Sequence, residues 1–420
     1  MENERKDIRT LAKKYDKLQT LMCYVNKETL MEQHKKQMKG KASGIDGITK
    51  EQYNESAENN IEDLLIRMKK FSYRPQAVKR VYIPKTGSNK LRPLGIPAYE
   101  DRLVQGCMAY VLNEIYETKF LDCSYGFRPN RNCHQAIREI NQTIMTKKVN
   151  YILDADIKGF FDNVDHNWLM EFLKHDIGDK NFLRYISRFL KSGIIENLKY
   201  YESDKGTPQG GLISPVLANV YLHYVLDLWF EKGIKPKLKG EAYLVRYCDD
   251  FIIMFQYENE AQNVYELLKE RLKKFKLELA EDKTRILPFG RFKGNKESFD
   301  FLGFTHYNSK TRTEKYTIQH KISKKKKKAK KQAMKQWLKE NMHENLVDVI
   351  ERLNRKLVGM YAYYGINGMF NDLLGLYKYV KYELYRVMCR RCQKKINAKK
   401  YMLILERIPI AKPKIYVQIW

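Results

Sequence analysis

Three carboxylates stand where metal-assisted chemistry would need them. Residues 243–255, YLVRYCDDFIIMF, hold Asp249 and Asp250 between two apolar runs, Tyr243 to Tyr247 and Phe251 to Phe255. Adjacent acids at a tight turn between buried strands are costly unless a positive charge neutralises them. A divalent cation does this well, since Mg²⁺ takes oxygen ligands and binds through one or two carboxylates plus substrate phosphates. Alone, an Asp-Asp pair is ordinary turn chemistry. Residues 151–166, YILDADIKGFFDNVDH, add a further acid. Here an apolar strand runs into Asp154 and Asp156, period two puts both carboxylates on one face, and Asp156 falls at the strand end. Asp156, Asp249 and Asp250 would then cage two metal ions about 3.5–4 Å apart, one activating an attacking 3′-oxygen and one the leaving pyrophosphate.

Two more segments suit a phosphorylated ligand. GTPQGGLISPVLANVYL (206–222) has glycines at 206, 210 and 211, which let backbone approach a ligand closely, and a helix start at Ser214-Pro215. It reads either as a plain loop-to-helix junction or as the floor beneath a nucleotide and its template base. In VYIPKTGSNKLRPLGIP (81–97), Lys85, Lys90 and Arg92 lie on or near a flexible arm that would clamp a triphosphate. Read alone, they are three exposed basic residues.

The elements that must carry these groups follow from periodicity. The first 60 or so residues are helical and mixed in charge, up to a turn-rich joint at GKASGIDGIT (40–49). Residues 75–97 alternate as a β-hairpin with a basic tip. Helices are expected from Asp101 to Tyr116 and from Asn132 to Lys147, the second capped by Asn130 or Asn132. A strand at 150–156 is followed by more helix, the break at 206–211, a helix from Pro215 to about Glu231 and a hydrophobic hairpin at 243–255. A helix at 258–277 leads into FDFLGFTHY, a final strand or hairpin. Beyond residue 310 the composition shifts: Lys324, Lys325, Lys326, Lys327 and Lys328 run unbroken, helical periodicity spans 331–390, and residues 381–420 hold 11 Lys+Arg against 2 Glu. Strands interleaved with helices, then helices alone, give an α/β or α+β core with a helical appendage.

Composition narrows the function classes. The 420 residues carry 79 Lys+Arg against 50 Asp+Glu, a formal charge of +29, with 43% hydrophobic residues and 30 tyrosines. That is too much apolar content for a disordered chain, and no stretch reaches the roughly 20 apolar residues of a membrane span. The charged start MENERKDIRT lacks the apolar core of a signal peptide, and seven scattered cysteines fit a reducing compartment. A folded chain this basic calls for a polyanion, nucleic acid before an anionic membrane surface.

In order and spacing, these segments resemble a reverse transcriptase, and most closely the group II intron-encoded reverse transcriptase/maturase family. The resemblance rests on GIDGIT (44–49), IPKTGSNKLRPLGIP (83–97), DRLVQ (101–105), YGFRPNRNCHQAI (125–137), DADIKGFFDNVDH (154–166), GTPQGGLISPVLANVYL (206–222), YCDD (247–250) and FLGF (301–304), with a weaker match at RLNRKLVGMYAYYGI (352–366). It implies a right-hand polymerase: an N-terminal extension and start of the fingers at 1–80, fingers and palm at 81–310, a helical thumb/X domain at 311–366, and a basic DNA-binding-like tail at 367–420. It implies two Mg²⁺ ions, with Mn²⁺ able to substitute, on Asp156, Asp249 and Asp250, the Ile157 carbonyl being an extra ligand. Phe161, with Phe160 as the alternative, would be the gate against a ribose 2′-hydroxyl. Gln209 and Gly210 would line the nucleotide pocket. Lys90 and Arg92 would contact the triphosphate, with Lys85 in reserve. FLGF would support the primer end. The lysine run, with Arg390 and Arg391, would hold nucleic acid.

The implied partners are intron RNA and an RNA template, a DNA primer or target and deoxynucleoside triphosphates, with no membrane, for a monomer or homodimer. The expected location is the cytoplasm of a bacterial-type cell, at the nucleoid when acting on DNA. Two departures stand out: cysteine at position 248, where the family most often has alanine, and an end at Trp420 with no His/Asn-rich nuclease segment, so that a nicked strand or replication fork would supply the primer. The rival readings are a splicing-only maturase, a reverse transcriptase freed from any intron and serving DNA repair or phage defence, and an RNA-copying RNA polymerase, which the bulk of Phe161 disfavours. Cys389 and Cys392 lack further zinc ligands, and Asp165-His166 reads as a helix cap rather than a catalytic pair.

Overall fold

A computed structural model describes residues 7–84, 91–197, 199–207, 210–293 and 297–419. The expected ligands Lys85, Lys90 and Gln209 lie outside the described residues. The chain divides into two compact units, one ending at Leu287 and the other built from Ile137–Asn150 and Pro288–Trp420. Among the described residues no helix is long and apolar enough to cross a membrane.

The first unit opens with short helices: Ile8–Lys14 and Lys27–Lys36 pack on the helix Tyr99–Tyr116, and Ala57–Lys69 packs on Lys27–Lys36. That helix buries thirteen of its eighteen positions, which explains why its apolar residues do not keep to one stripe. The GIDGIT loop is its fastening. Asp46 accepts from the Tyr99 amide at 2.7 Å, satisfying a free donor of the helix start that Ala98 cannot reach. Gly44 lies so close to the Pro97 carbonyl that a Cβ there would approach it to 2.5 Å.

Two sheets follow. Strands β1 (Val78–Pro84) and β2 (Leu91–Ile96) form the expected hairpin. A second small hairpin, β4 (Ile194–Glu196) and β5 (Lys199–Tyr201), joins β1 in parallel, giving the order β2-β1-β4-β5. The sequence pattern predicts helix in that stretch; strands of three residues are too short to show a period.

The other sheet is built from β3 (Tyr151–Asp156), β6 (Ala242–Tyr247), β7 (Asp250–Phe255) and β8 (Arg285–Pro288) in the order β6-β7-β3-β8. Strand β7 lies between β6 and β3, and Phe251 to Phe255 are all buried. A strand with both faces covered reads as a continuous apolar run. Each such side chain contributes about 1.5–3 kcal/mol by leaving water. Asn132 caps the helix Cys133–Thr146 with a reciprocal pair: its Oδ1 accepts from the Gln135 amide at 3.0 Å, while its own amide donates to Gln135 Oε1 at 2.8 Å.

One expectation changes in kind. The helix from residue 215 towards 231 is α-helical only over Ser214–Leu222. It then widens into π geometry at His223–Asp227 and Trp229–Ile234. Such widening shifts every later side chain around the axis and is frequent at functional sites.

The second unit carries the sheet β9 (Ser298–Phe301), β10 (Phe304–Lys310) and β11 (Tyr316–Ile322) in the order β11-β10-β9, and the helices Lys324–Glu340, Leu346–Tyr364, Phe370–Arg391 and Ala398–Arg407. FLGF forms the β9–β10 turn, with Leu302 and Gly303 both at positive φ. The last residues are fastened to this unit: the Gly365 carbonyl accepts from the amides of Tyr416 and Val417 at 2.7 and 3.1 Å.

Candidate active site

The acids meet through strand register. Strands β3 and β7 are antiparallel neighbours with Asp156 directly opposite Asp250, and Asp249 sits in the turn between β6 and β7. Opposed residues on adjacent strands lie about 4.5–5.5 Å apart between Cα atoms, close enough for both carboxylates to serve one cation. Asp154 faces Ile252, two residues back from this end, and has Arg285 Nε at 3.6 Å.

The electrostatics express the crowding. Loss of solvent and then the charges of Asp249, Asp156 and Asp154 push the Asp250 carboxyl up to about 7. Desolvation also raises Asp249, with Asp156 adding to the rise and the Arg92 guanidinium opposing it. Lys283 forms an ion pair with Asp156. Among the described residues no three acid, histidine or cysteine side chains stand as a ready-made cation cage. The donor set nonetheless suits a hard divalent ion: carboxylate oxygens, in register at a sheet end, whose mutual repulsion a cation would relieve.

Sequence reasoning missed what holds the turn. Arg246 is wholly buried. Its Nε and Nη2 donate to the two carboxylate oxygens of the equally buried Asp227, both at 2.6 Å. Its Nη1 donates to Asn219 Oδ1 and to the Cys248 carbonyl, each at 3.0 Å, and its Nη2 also to Ser124 Oγ at 2.7 Å. One guanidinium thus ties the widened helix, the segment before Tyr125 and the acid turn together. Cys248 sits at φ +62, a conformation non-glycine residues resist, and carries a buried thiol whose pKa burial raises well above its usual value. Gly126 fits against this turn, since a Cβ there would come within 2.5 Å of the Cys248 nitrogen. The signal was present in the sequence as a lone arginine and a lone aspartate inside two apolar runs, because buried charges are paired.

The glycine-rich segment is tied to the residues that follow β3 and to β2. The Thr207 amide donates to the Phe161 carbonyl at 2.8 Å, the Gly206 amide to the Val164 carbonyl at 2.7 Å, and the His166 ring to the Gly206 carbonyl at 2.7 Å. Gly210, at φ +119, lies against the β2 backbone, where a Cβ would approach the Gly95 carbonyl to 2.2 Å. Residues Arg80, Pro93, Gly95, Phe161, Gly206 and Thr207 line part of a cavity of about 660 Å³.

Phe161 therefore faces open space, whereas Phe160 is 1% exposed, packed edge-on against Phe161 and Tyr221. The alternative of Phe160 as the gate is corrected on that ground, since a ring inside the core cannot meet a ligand. Ile157 is buried and bridges to Leu279. Asp165 caps the helix His166–Asp176 by accepting from the Trp168 amide at 3.0 Å. Arg128, in the GFRP stretch, is a buried strut bound to Glu117 at 2.9 and 3.0 Å.

In the second unit the lysine run divides. Lys324, Lys325 and Lys328 are exposed and Lys326 half-buried, while Lys327 is committed to Asp372 at 2.7 Å. Lys327 is therefore half-buried and ion-paired, where its exposed neighbours reach into solvent. Arg390 is exposed, and Arg391 donates to the Glu344 carbonyl at 2.6 Å.

Comparison with known proteins fits this arrangement. The family described as reverse transcriptase (RNA-dependent DNA polymerase) matches residues 83–306. Group II intron-encoded protein LtrA of Lactococcus lactis subsp. cremoris is 34% identical over 306 residues, covering 59% of this chain and 50% of that protein. Protein YkfC of Escherichia coli K12 is 31% identical over 302 residues, covering 64% and 77%. Nuclear intron maturase 1, mitochondrial, of Arabidopsis thaliana is 30% identical over 116 residues, covering 27% and 16%. The chain thus spans about half the length of the LtrA relative it matches.

Proposed function

Since the chain belongs to the reverse transcriptase family, among the group II intron-encoded reverse transcriptases and maturases, we propose that it is an RNA-directed DNA polymerase that copies intron RNA into DNA. The observation that carries this is the register of Asp156 opposite Asp250, with Asp249 in the adjoining turn. Primer extension on an RNA template, with deoxynucleotides and Mg²⁺, tests it against Asp249→Ala.

In this reading Asp156, Asp249 and Asp250 hold two Mg²⁺ ions, which when bound supply activation of the primer 3′-oxygen and stabilisation of the leaving pyrophosphate. The chain's own residues position and neutralise. Lys283 holds Asp156 until a cation takes its place, Arg92 faces the triphosphate charge, and Gly210 brings loop backbone against β2 beneath the nucleotide. Catalysis by placement and fixed charge needs no covalent enzyme intermediate. The first unit would serve as fingers and palm, and the helices of the second as thumb and nucleic-acid-binding region.

Phe161 would bar ribonucleotides by meeting the 2′-hydroxyl. Phe161→Ala is expected to weaken discrimination between deoxy- and ribonucleoside triphosphates by roughly 10²-fold, within the few kcal/mol that steric pocket differences supply. The ratio of kcat/KM values measures it, and an unchanged ratio would remove Phe161 as the gate.

A second role, splicing assistance by binding folded intron RNA, is favoured by the net charge of +29 and by relatives named for introns and maturases. Such binding should weaken steeply with salt. Replacing Lys324–Lys328 with glutamine should lower the slope of log affinity against log salt by up to about 3, at roughly 0.7–0.9 per phosphate contact, because Lys327 is already committed to Asp372. If RNA-binding titrations show no change in slope, the run serves only solubility.

A further inference from the structure

Phe127 is a residue beside the acid turn that the polymerisation chemistry leaves unexplained. Its backbone sits at φ +54, in the left-handed region, and the residue is 53% exposed. A bulky residue there is a genuine outlier, and an exposed aromatic recovers little of that cost by packing.

Its neighbours impose the conformation. The segment before it runs along the free edge of β6: the Arg246 amide donates to the Cys123 carbonyl at 2.8 Å and the Tyr125 amide to the Arg246 carbonyl at 2.9 Å. Gly126 then lies against the Cys248 nitrogen. On the far side Arg128 is buried, donating to Glu117 and to the carbonyls of Leu121 and Ser124 at 2.7 and 2.8 Å. Between these two anchors residue 127 must turn outward, which glycine would do without strain. Backbone strain imposed by its surroundings concentrates at ligand sites. This one holds an aromatic ring in solvent, one residue from the backbone contact with the turn that carries Asp249.

We propose that Phe127 packs against the template–primer duplex where it passes the acid turn, an apolar contact that steadies the primer end. The proposal rests on the polymerase reading of that turn. Contact between a ring and the sugar edge of the duplex is sequence-tolerant because sugar and phosphate carry no base identity, as copying an arbitrary template requires.

The test compares wild type with Phe127→Gly and Phe127→Leu by thermal melting, by fluorescence anisotropy on a labelled RNA–DNA template–primer, and by extension length in the presence of a heparin trap. Phe127→Gly is expected to melt no lower than wild type while its duplex Kd rises about tenfold, the effect of burying part of a phenylalanine side chain, and its products shorten. Phe127→Leu should fall between the two. Wild-type Kd and product length in the glycine variant would overturn the proposal. So would a lower melting temperature, which would make the ring a packing residue, or a loss confined to folded RNA with duplex affinity unchanged. Anisotropy needs no catalysis, so a wild type that binds duplex without extending it would sink the polymerase reading, and the Kd ratio would still decide the role of Phe127.

Discussion

Asp249→Ala is expected to lower DNA synthesis by roughly 10³-fold or more and to leave the melting temperature unchanged or raised. The two effects share a cause. Asp249 sits in a turn where desolvation and the charge of Asp156 disfavour its ionised form, so removing it relieves repulsion in the protein without bound metal. A carboxylate kept against its electrostatic interest is kept for a ligand, and stability gained by deleting it follows the usual trade between site and fold. Asp249→Asn should behave alike, because an amide keeps the shape and loses the charge. Asp154→Asn is the control: Asp154 shares the strand and the face, yet it stands opposite Ile252 with Arg285 beside it, and its loss should cost less than about tenfold, within the range of a partly exposed ion pair. Primer extension, RNA binding and thermal melting on the same preparations separate the outcomes. Parallel loss of synthesis, RNA binding and melting temperature in Asp249→Ala would indicate misfolding, and synthesis surviving the substitution would remove the acid turn from catalysis.

The acids were legible because strand ends and turns leave local marks. An apolar run broken by Cys-Asp-Asp, and another ending in Asp-Ala-Asp, state both the hairpin and the side of the sheet without knowledge of the fold. Partners settled by tertiary packing were not. Phe160 and Phe161 are adjacent and chemically identical, and a four-residue helix, Phe160–Asn163, turns one into the core and the other towards a cavity. Lys327 looks like its four neighbours until Asp372, 45 residues away, selects it. Lys283 and Asp156 are 127 residues apart. The π-helical widening at His223–Asp227 has no composition signal, since its residues would suit an ordinary helix; what it achieves is to bring Asp227 round to Arg246.

That pairing carries the largest expected effect on stability. Arg246→Met should destabilise the protein by about 3–5 kcal/mol, because Asp227 would be left charged and buried with its principal partner gone. Asp227→Leu alone should cost a similar amount, by stranding the guanidinium. Removing both charges together, in Arg246→Met with Asp227→Leu, should recover most of that loss, since apolar side chains of similar volume often replace a buried pair at little cost. DNA synthesis is not expected to recover with it. The guanidinium also donates to the Cys248 carbonyl and to Ser124, and these bonds hold a turn whose first residue sits at φ +62. Without them the backbone can relax towards negative φ, and Asp249 and Asp250 move with it. Urea unfolding and primer extension on the two single variants and the double variant read the separation directly. Should the double variant regain both stability and synthesis, the ion pair would be core filling and the turn would hold its shape unaided. Stability regained while synthesis stays low would mean that the charge is retained for the geometry it imposes on two aspartates, and that this stretch of apolar sequence bears an arginine because the acid turn beside it needs a fixed donor.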